Sequence, residues 1–190
     1  MTRVASTDKG LALVTGATGF IGNRLVAALL GDGYRVRALV RDPGRGRGLG
    51  DVELHVGDLT DESSLAGIER GVDSVIHGAS LLGKWGTDPR RMAAVNVRGS
   101  LALLERFRGS AVSRYVHLSA GGVSGPVRVG SVDETYACRP ATPYERTKYE
   151  AERKVLELAP RLEVPALVVR PTFTYGPGDP HKVALFGAVL

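Results

Sequence analysis

The sequence predicts an α/β domain built on a doubly wound parallel sheet, strand order 3-2-1-4-5-6, with helices on both faces. Three observations carry that expectation. Apolar runs alternate with segments of helical period along the chain. The runs are apolar at consecutive positions, as in Leu11-Ala12-Leu13-Val14, the pattern of strands buried on both faces. Gly16, Asp58, Ala79, Ser119 and Pro171 each fall just beyond the end of such a run. In an open parallel sheet those ends face the ligand crevice.

The elements follow in order. A first strand at 11–14 enters the turn Gly16-Ala17-Thr18-Gly19-Phe20-Ile21-Gly22, and a helix over 20–30 leaves it with Ile21, Leu25, Ala28 and Leu29 in register. Gly31-Asp32-Gly33 breaks the pattern, and 34–40 reads as the second strand. Residues 41–50 read as a glycine- and arginine-rich loop and 52–56 as a third strand. Thr60 or Asp61 can cap a helix over 63–70. The fourth strand, 72–77, ends at Gly78-Ala79-Ser80, and a loop over 81–88 carries the only tryptophan, Trp85. Pro89 suits the first turn of one long helix through 108. A fifth strand at 115–118 precedes 120–142, which has no sustained period; loops of that length are usually functional or mobile. A helix over 143–158, a sixth strand at 167–169 closed by Arg170-Pro171, and a helix opening at 183 complete the chain.

A length of 190 residues suits one domain with a substantial core. The single cysteine, Cys138, excludes an internal disulfide framework and fits a reducing cytosol. The polar first ten residues lack the apolar core of a signal peptide, and no apolar run approaches the ~20 residues of a membrane span. A cytoplasmic protein without a membrane partner is expected. The net charge of +5 comes from arginines that scatter along the chain, apart from Arg41, Arg45 and Arg47. With aromatics at only 6%, the stripe of bases and stacking rings expected of a nucleic-acid binder is missing. A basic surface suited to a phosphorylated small molecule explains the charge as well. No metal site is expected.

Two local patterns carry chemistry. Glycine in the strand-to-helix turn at 16–22 admits backbone angles other residues resist, and leaves room for a pyrophosphate to reach the free N–H groups of the helix start. A plain tight turn is the competing reading. Tyr144 and Lys148 lie four apart at the start of a predicted helix, so both project from one face. A nearby ammonium and an oxidised nicotinamide would lower the tyrosine pKa from about 10. The pair could then exchange a proton with a carbonyl or alcohol oxygen while hydride moves at the carbon. The same spacing is also common on helix surfaces.

Taken together, Gly16-x-x-Gly19-x-x-Gly22, Asp58-Leu59, His77-Gly78-Ala79-Ser80, Asn96-Val97-x-Gly99-Ser100, Tyr144-x-x-x-Lys148 and Arg170-Pro171-x-x-x-Tyr175-Gly176-Pro177 occur in order. The ensemble resembles the extended short-chain dehydrogenase/reductases, the NAD(P)-dependent epimerase/dehydratase group, and within it the dihydroflavonol-reductase-like and 3β-hydroxysteroid-dehydrogenase-like branches. The resemblance implies a Rossmann domain over 1–180, with 181–190 opening a substrate-binding region that would continue beyond this sequence. It implies that Gly16, Thr18, Gly19, Phe20, Ile21 and Gly22 carry the pyrophosphate. Asp58 and Leu59 would flank the adenine, Ala79 and Ser80 would line the cofactor near its ribose, and Asn96 would brace the nicotinamide side. Tyr144 would be the acid/base, Lys148 would bind the nicotinamide ribose and tune the tyrosine, and Pro171 would meet the carboxamide end. A homodimer through the helices after strands four and five is implied in the same way. In isolation Asp58 reads as a helix cap, Asn96 as a packing amide and Pro171 as a strand stop.

Three departures qualify the resemblance. The family's active hydroxyl falls at Ala120, so Ser119, one place early, would have to turn inward to polarise a carbonyl; capping the strand end is its other reading. Members of the family continue well beyond residue 190. Cofactor choice is divided: Asp42 suits the ribose hydroxyl of NAD, whereas Arg41, with Arg45 and Arg47 behind it, suits the 2′-phosphate of NADP, which is preferred. The expected function is hydride transfer at a hydroxyl or carbonyl of a small or moderately apolar substrate. The alternatives are an epimerase or dehydratase of the same family, or a dinucleotide-binding sensor or assembly subunit without turnover.

Overall fold

The computed structural model describes residues 9–83, 87–127 and 130–178. Six strands form one parallel sheet in the order β3-β2-β1-β4-β5-β6. They are β1 (Leu11–Thr15), β2 (Arg35–Val40), β3 (Glu53–Val56), β4 (Ser74–His77), β5 (Arg114–Leu118) and β6 (Ala166–Val169). The predicted order is the observed one, and strand limits differ from expectation by no more than two residues.

The unbroken hydrophobic strands have a direct cause. Each face of the sheet is covered, so successive residues of a strand enter different cores. Leu11, Leu13, Leu39, Val75 and Tyr115 face a core closed by Leu65, Ile68, Leu103, Leu104, Phe107 and Val155. Val14, Val36, Ala38 and Val40 face the opposite core, closed by Val26 of helix α1 (Phe20–Gly31) and by Leu49. The register aligns Thr15 with His77 and His77 with His117. One polar row therefore crosses β1, β4 and β5 near their carboxyl ends.

Three predicted elements differ. Residues 41–50 are not all loop: α2 (Pro43–Gly46) forms there, because the Asp42 carboxylate accepts from Gly44 N at 2.8 Å and Pro43 pre-sets the first turn. The helix expected at 63–70 is a single 3₁₀ turn, Glu62–Leu65, capped by Asp61. Gly67 at φ +80° ends its progress, while Leu65 and Ile68 still reach the core. The helix expected to be continuous over 89–108 comprises α3 (Pro89–Ala93), a π turn (Ala94–Arg98) and α4 (Gly99–Glu105). The wider turn carries Asn96, fully buried, and Ser100 Oγ donates to Asn96 O at 2.7 Å.

The remaining long helix, α5 (Pro143–Leu158), matches its predicted span. It starts on a reciprocal capping box, Thr142 with Glu145, behind Pro143. Within the stretch read as unpatterned after β5, a 3₁₀ turn covers Gly121–Ser124. The readings for Trp85 and for 183–190 lie outside the described residues. Among the described residues no helix is long and apolar enough to cross a membrane, and no cluster of His, Cys, Asp and Glu is placed to hold a metal ion.

Candidate active site

A cleft of about 1220 Å³ opens at the carboxyl ends of the strands. Gly16, Thr18, Gly19, Phe20, Ile21 and Gly22 form one end of it. Glycine is needed here for space. Gly16 sits at φ +71°, and a Cβ there would lie 2.8 Å from Ala79 N. A Cβ on Gly22 would strike the Gly16 carbonyl, with Gly16 C at 2.7 Å and Ala17 Cα at 2.8 Å. Strand, turn and helix are thereby packed backbone to backbone.

The start of α1 is chemically distinct from its neighbours. Helices α2, α3 and α5 are capped by the side chains of Asp42, Asp88 and Thr142, whereas Gly19 at the head of α1 offers no side-chain cap and no acidic residue occupies the first turn. Its leading N–H groups and dipole thus remain available to an anion at the cleft.

Along the cleft, Arg41 and Asp42 leave β2, and Asp58 and Leu59 follow β3. The Asp58 carboxylate accepts from Thr60 N at 2.8 Å and Thr60 Oγ1 at 2.7 Å. Burial disfavours its charge, but those hydrogen bonds, with Arg41 and Arg91 nearby, outweigh it and hold the carboxyl below its ordinary value. Arg45 and Arg91 border the same space. Arg91 had no sequence signal, since α3 reaches the cleft only through the fold. Asp42 also borders it, although its carboxylate is committed to capping α2.

At the far end Ala79, Ser80, Ser119, Tyr144 and Pro171 line the cleft. Asn96 and Lys148, predicted beside the cofactor, stand behind this wall and are buried. Asn96 acts as a bracket: its Oδ1 accepts from Leu81 N at 2.7 Å, and its Nδ2 donates to Leu81 O at 3.2 Å and Thr147 Oγ1 at 3.0 Å. Thr147 in turn donates to the Tyr144 carbonyl at 2.8 Å.

A second chain of hydrogen bonds runs beneath. Ala79 N donates to Thr15 Oγ1, which meets His77 Nδ1 at 2.7 Å, while His77 Nε2 meets Ser100 Oγ at 2.8 Å. Because Ser100 spends its proton on Asn96 O, His77 must donate from Nε2 and accept at Nδ1. Burial, with His117 and Lys148 nearby, keeps His77 neutral well below its usual pKa. His117, its ring centroid 5.2 Å away, is pushed down to about 3 by burial and by Lys148.

One expectation is corrected. Tyr144 is not shifted down by Lys148: burial raises its pKa, and the group that works against that rise is the Ser80 hydroxyl. Lys148 is itself lowered to about 8 by burial, opposed by Glu152. Ser119 stands at the strand end, as its second reading has it. Its N–H closes the strand end on Val169 O at 2.7 Å, and its Oγ is buried without a partner among the described residues.

The family model for the NAD dependent epimerase/dehydratase family matches residues 12–186. The chain belongs to that family. As a family member it is similar to sterol demethylase protein B of Methylococcus capsulatus, 38% identical over 94% of this chain and 55% of the relative. It is 34% identical to a 3 beta-hydroxysteroid dehydrogenase/Delta 5-->4-isomerase of Mycobacterium tuberculosis, over 97% of this chain and 53% of that protein. The family member therefore spans about half the length of these curated relatives. Among solved structures it resembles Thermus thermophilus UDP-glucose 4-epimerase in complex with NAD, with TM-score 0.81 and 31% identity over 94% of this chain and 60% of that one. A short-chain dehydrogenase/reductase superfamily protein of Agrobacterium tumefaciens with bound NAD gives TM-score 0.75 and 31% identity over 84% of this chain and 48% of that one.

Proposed function

We propose that this chain is the dinucleotide-binding portion of an NADP-dependent oxidoreductase acting at a hydroxyl or carbonyl group. Tyr144 is the acid/base and Lys148 its helper. One observation carries the reading: the uncapped, glycine-packed start of α1 and the Tyr144 phenol open onto a single cleft.

The residues present fit a nicotinamide dinucleotide. The turn at 16–22, free of Cβ atoms where the backbones meet and with open N–H groups, suits a diphosphate. Asp58 and Leu59 suit the adenosine side, Ala79 and Ser80 a ribose, and Pro171 the carboxamide end, with Asn96 bracing the wall from behind. Arg41, Arg45 and Arg91 bring three guanidinium groups to the adenosine end, which suits a 2′-phosphate; Asp42, the residue suited to a free ribose hydroxyl, is engaged as a cap. When bound, the dinucleotide supplies the hydride donor or acceptor.

The chain's own groups manage the proton. In reduction Tyr144 Oη gives its proton to the substrate oxygen, and in oxidation it takes one back. Lys148 at about 8 retains its proton at neutral pH and stands one turn along α5 from Tyr144. The steroid- and sterol-named relatives support a moderately apolar alcohol or ketone as substrate. The likeness to a UDP-glucose 4-epimerase supports a second reading, transient oxidation of a nucleotide sugar within the same family.

Calorimetric titration of the chain with NADPH and NADH tests the proposal. Arg41→Ala is expected to weaken NADPH binding about tenfold or more and NADH binding much less. Equal losses would remove the NADP assignment, and binding of neither would remove the whole reading. Absorbance turnover with ketones and alcohols, abolished by Tyr144→Phe, supports the oxidoreductase; conversion of a nucleotide sugar without net absorbance change supports the epimerase.

A further inference from the structure

We propose that Glu152 and Arg170 are positioning residues of this site: their ion pair locks the face of α5 that carries Tyr144 and Lys148 to the end of β6, from which Pro171 enters the cleft. Resting on the dinucleotide reading given above, this assigns the pair the task of setting the nicotinamide wall against the acid/base helix.

Tyr144, Lys148 and Glu152 recur at every fourth residue of α5, so the three share one face. Glu152 is only 2% exposed, and the Arg170 guanidinium grips both of its oxygens: Nε donates to Oε2 at 3.1 Å and Nη2 to Oε1 at 2.6 Å. In the other ion pairs among the described residues the carboxylate side chain is 24–64% exposed. Burying a charge is a costly way to gain stability, because desolvation offsets much of the attraction. A two-point fork fixes orientation as well as distance, and that fixed geometry between helix and strand is what the buried pair supplies here.

Arg170 stands between β6 and the cleft, and Pro171 after it lines the cleft together with Tyr144. The neighbouring strand holds this segment through its backbone: Ser119 N donates to Val169 O at 2.7 Å and Gly121 N to Pro171 O at 2.7 Å. The ion pair adds a hold from the helix side. A nicotinamide end between Tyr144 and Pro171 would therefore lie between two groups whose spacing is set before the dinucleotide arrives. Lys148, one turn before Glu152 and as deeply buried, also finds in that carboxylate the negative charge that opposes the effect of burial on its ammonium.

Calorimetry on the chain with NADPH and with adenosine 2′,5′-bisphosphate, which has no nicotinamide, tests the proposal. Glu152→Gln keeps the shape of the side chain and removes its charge. It is expected to weaken NADPH binding about tenfold and to leave the bisphosphate at the parent affinity, since Arg41 and Asp58 are untouched. Hydrogen exchange in the uncomplexed chain reads the same hold without a ligand. The Gly121 amide is expected to exchange about tenfold faster in the variant, with the Leu13 amide of β1 unchanged. Arg170→Lys, which keeps the charge but not the fork, gives both readouts should Glu152→Gln fail to fold. Equal losses for the two nucleotides, or NADPH held at the parent affinity, overturn the proposal, and so does an unmoved Gly121 amide. If the parent chain binds neither nucleotide, the proposed function fails, and Gly121 exchange still decides whether the ion pair holds Pro171.

Discussion

Replacing Asn96 with alanine should destabilise the domain by about 3 kcal/mol. The side chain is fully buried and makes three hydrogen bonds, one from Leu81 N at 2.7 Å and two from Nδ2, to Leu81 O at 3.2 Å and Thr147 Oγ1 at 3.0 Å. Each is worth about 1 kcal/mol net, and losing the amide leaves an N–H and a carbonyl inside without partners. The vacated volume adds to the cost. For a domain of this size that loss corresponds to a fall of roughly 6–12 °C in Tm. Urea unfolding with an unchanged m-value gives the free energy, calorimetry gives Tm, and hydrogen exchange at the Leu81 amide reports the local bond. A loss below about 1 kcal/mol with the Leu81 amide still protected would show that the bracket assigned to Asn96 does not hold the loop.

Two further outcomes are expected. Gly22→Ala should abolish dinucleotide binding and lower Tm, because its Cβ has backbone neighbours, Gly16 C at 2.7 Å and Ala17 Cα at 2.8 Å, that cannot step aside; nucleotide affinity matching the parent chain would contradict the packing described. Acid should destabilise the fold from about pH 6.5 downward, since His117 takes its proton in the unfolded chain near 6.5 but in the folded one only near 3. The unfolded state therefore binds more protons in that window, and stability falls with pH by up to about 1.4 kcal/mol per unit for this group. Urea midpoints at pH 7, 5.5 and 4.5 measure the slope, and His117→Leu should flatten it; an unchanged slope in the variant would refute the assignment.

Much of the fold was legible because its signals are local. Consecutive apolar residues mark strands buried on both faces, and the glycines at 16, 19 and 22 sit where two elements must touch through their backbones. The four-residue spacing of Tyr144 and Lys148 needs only a helix to place them on one face. Errors arose where a distant contact overrode a local pattern. The apolar period over 89–108 predicted one helix, but the amide of Asn96 is drawn inward to Leu81 and Thr147, and a π turn accommodates it. The stretch 63–70 yields after one turn at Gly67, although Leu65 and Ile68 serve the core as their spacing implied.

The sequence by itself determined the sheet, its order, the glycine turn and the tyrosine–lysine face, because period, turn chemistry and strand ends are properties of neighbours along the chain. The tertiary structure decided that burial raises the phenol's pKa, against the opposing pull of Ser80, and that the Ser119 Oγ is buried. It also brought Arg91 beside Asp58 and set His77 and His117 against Lys148. Those facts depend on burial and on meetings between residues tens of positions apart. No spacing in the chain records them, because desolvation and distance exist only once the sheet has closed its two cores.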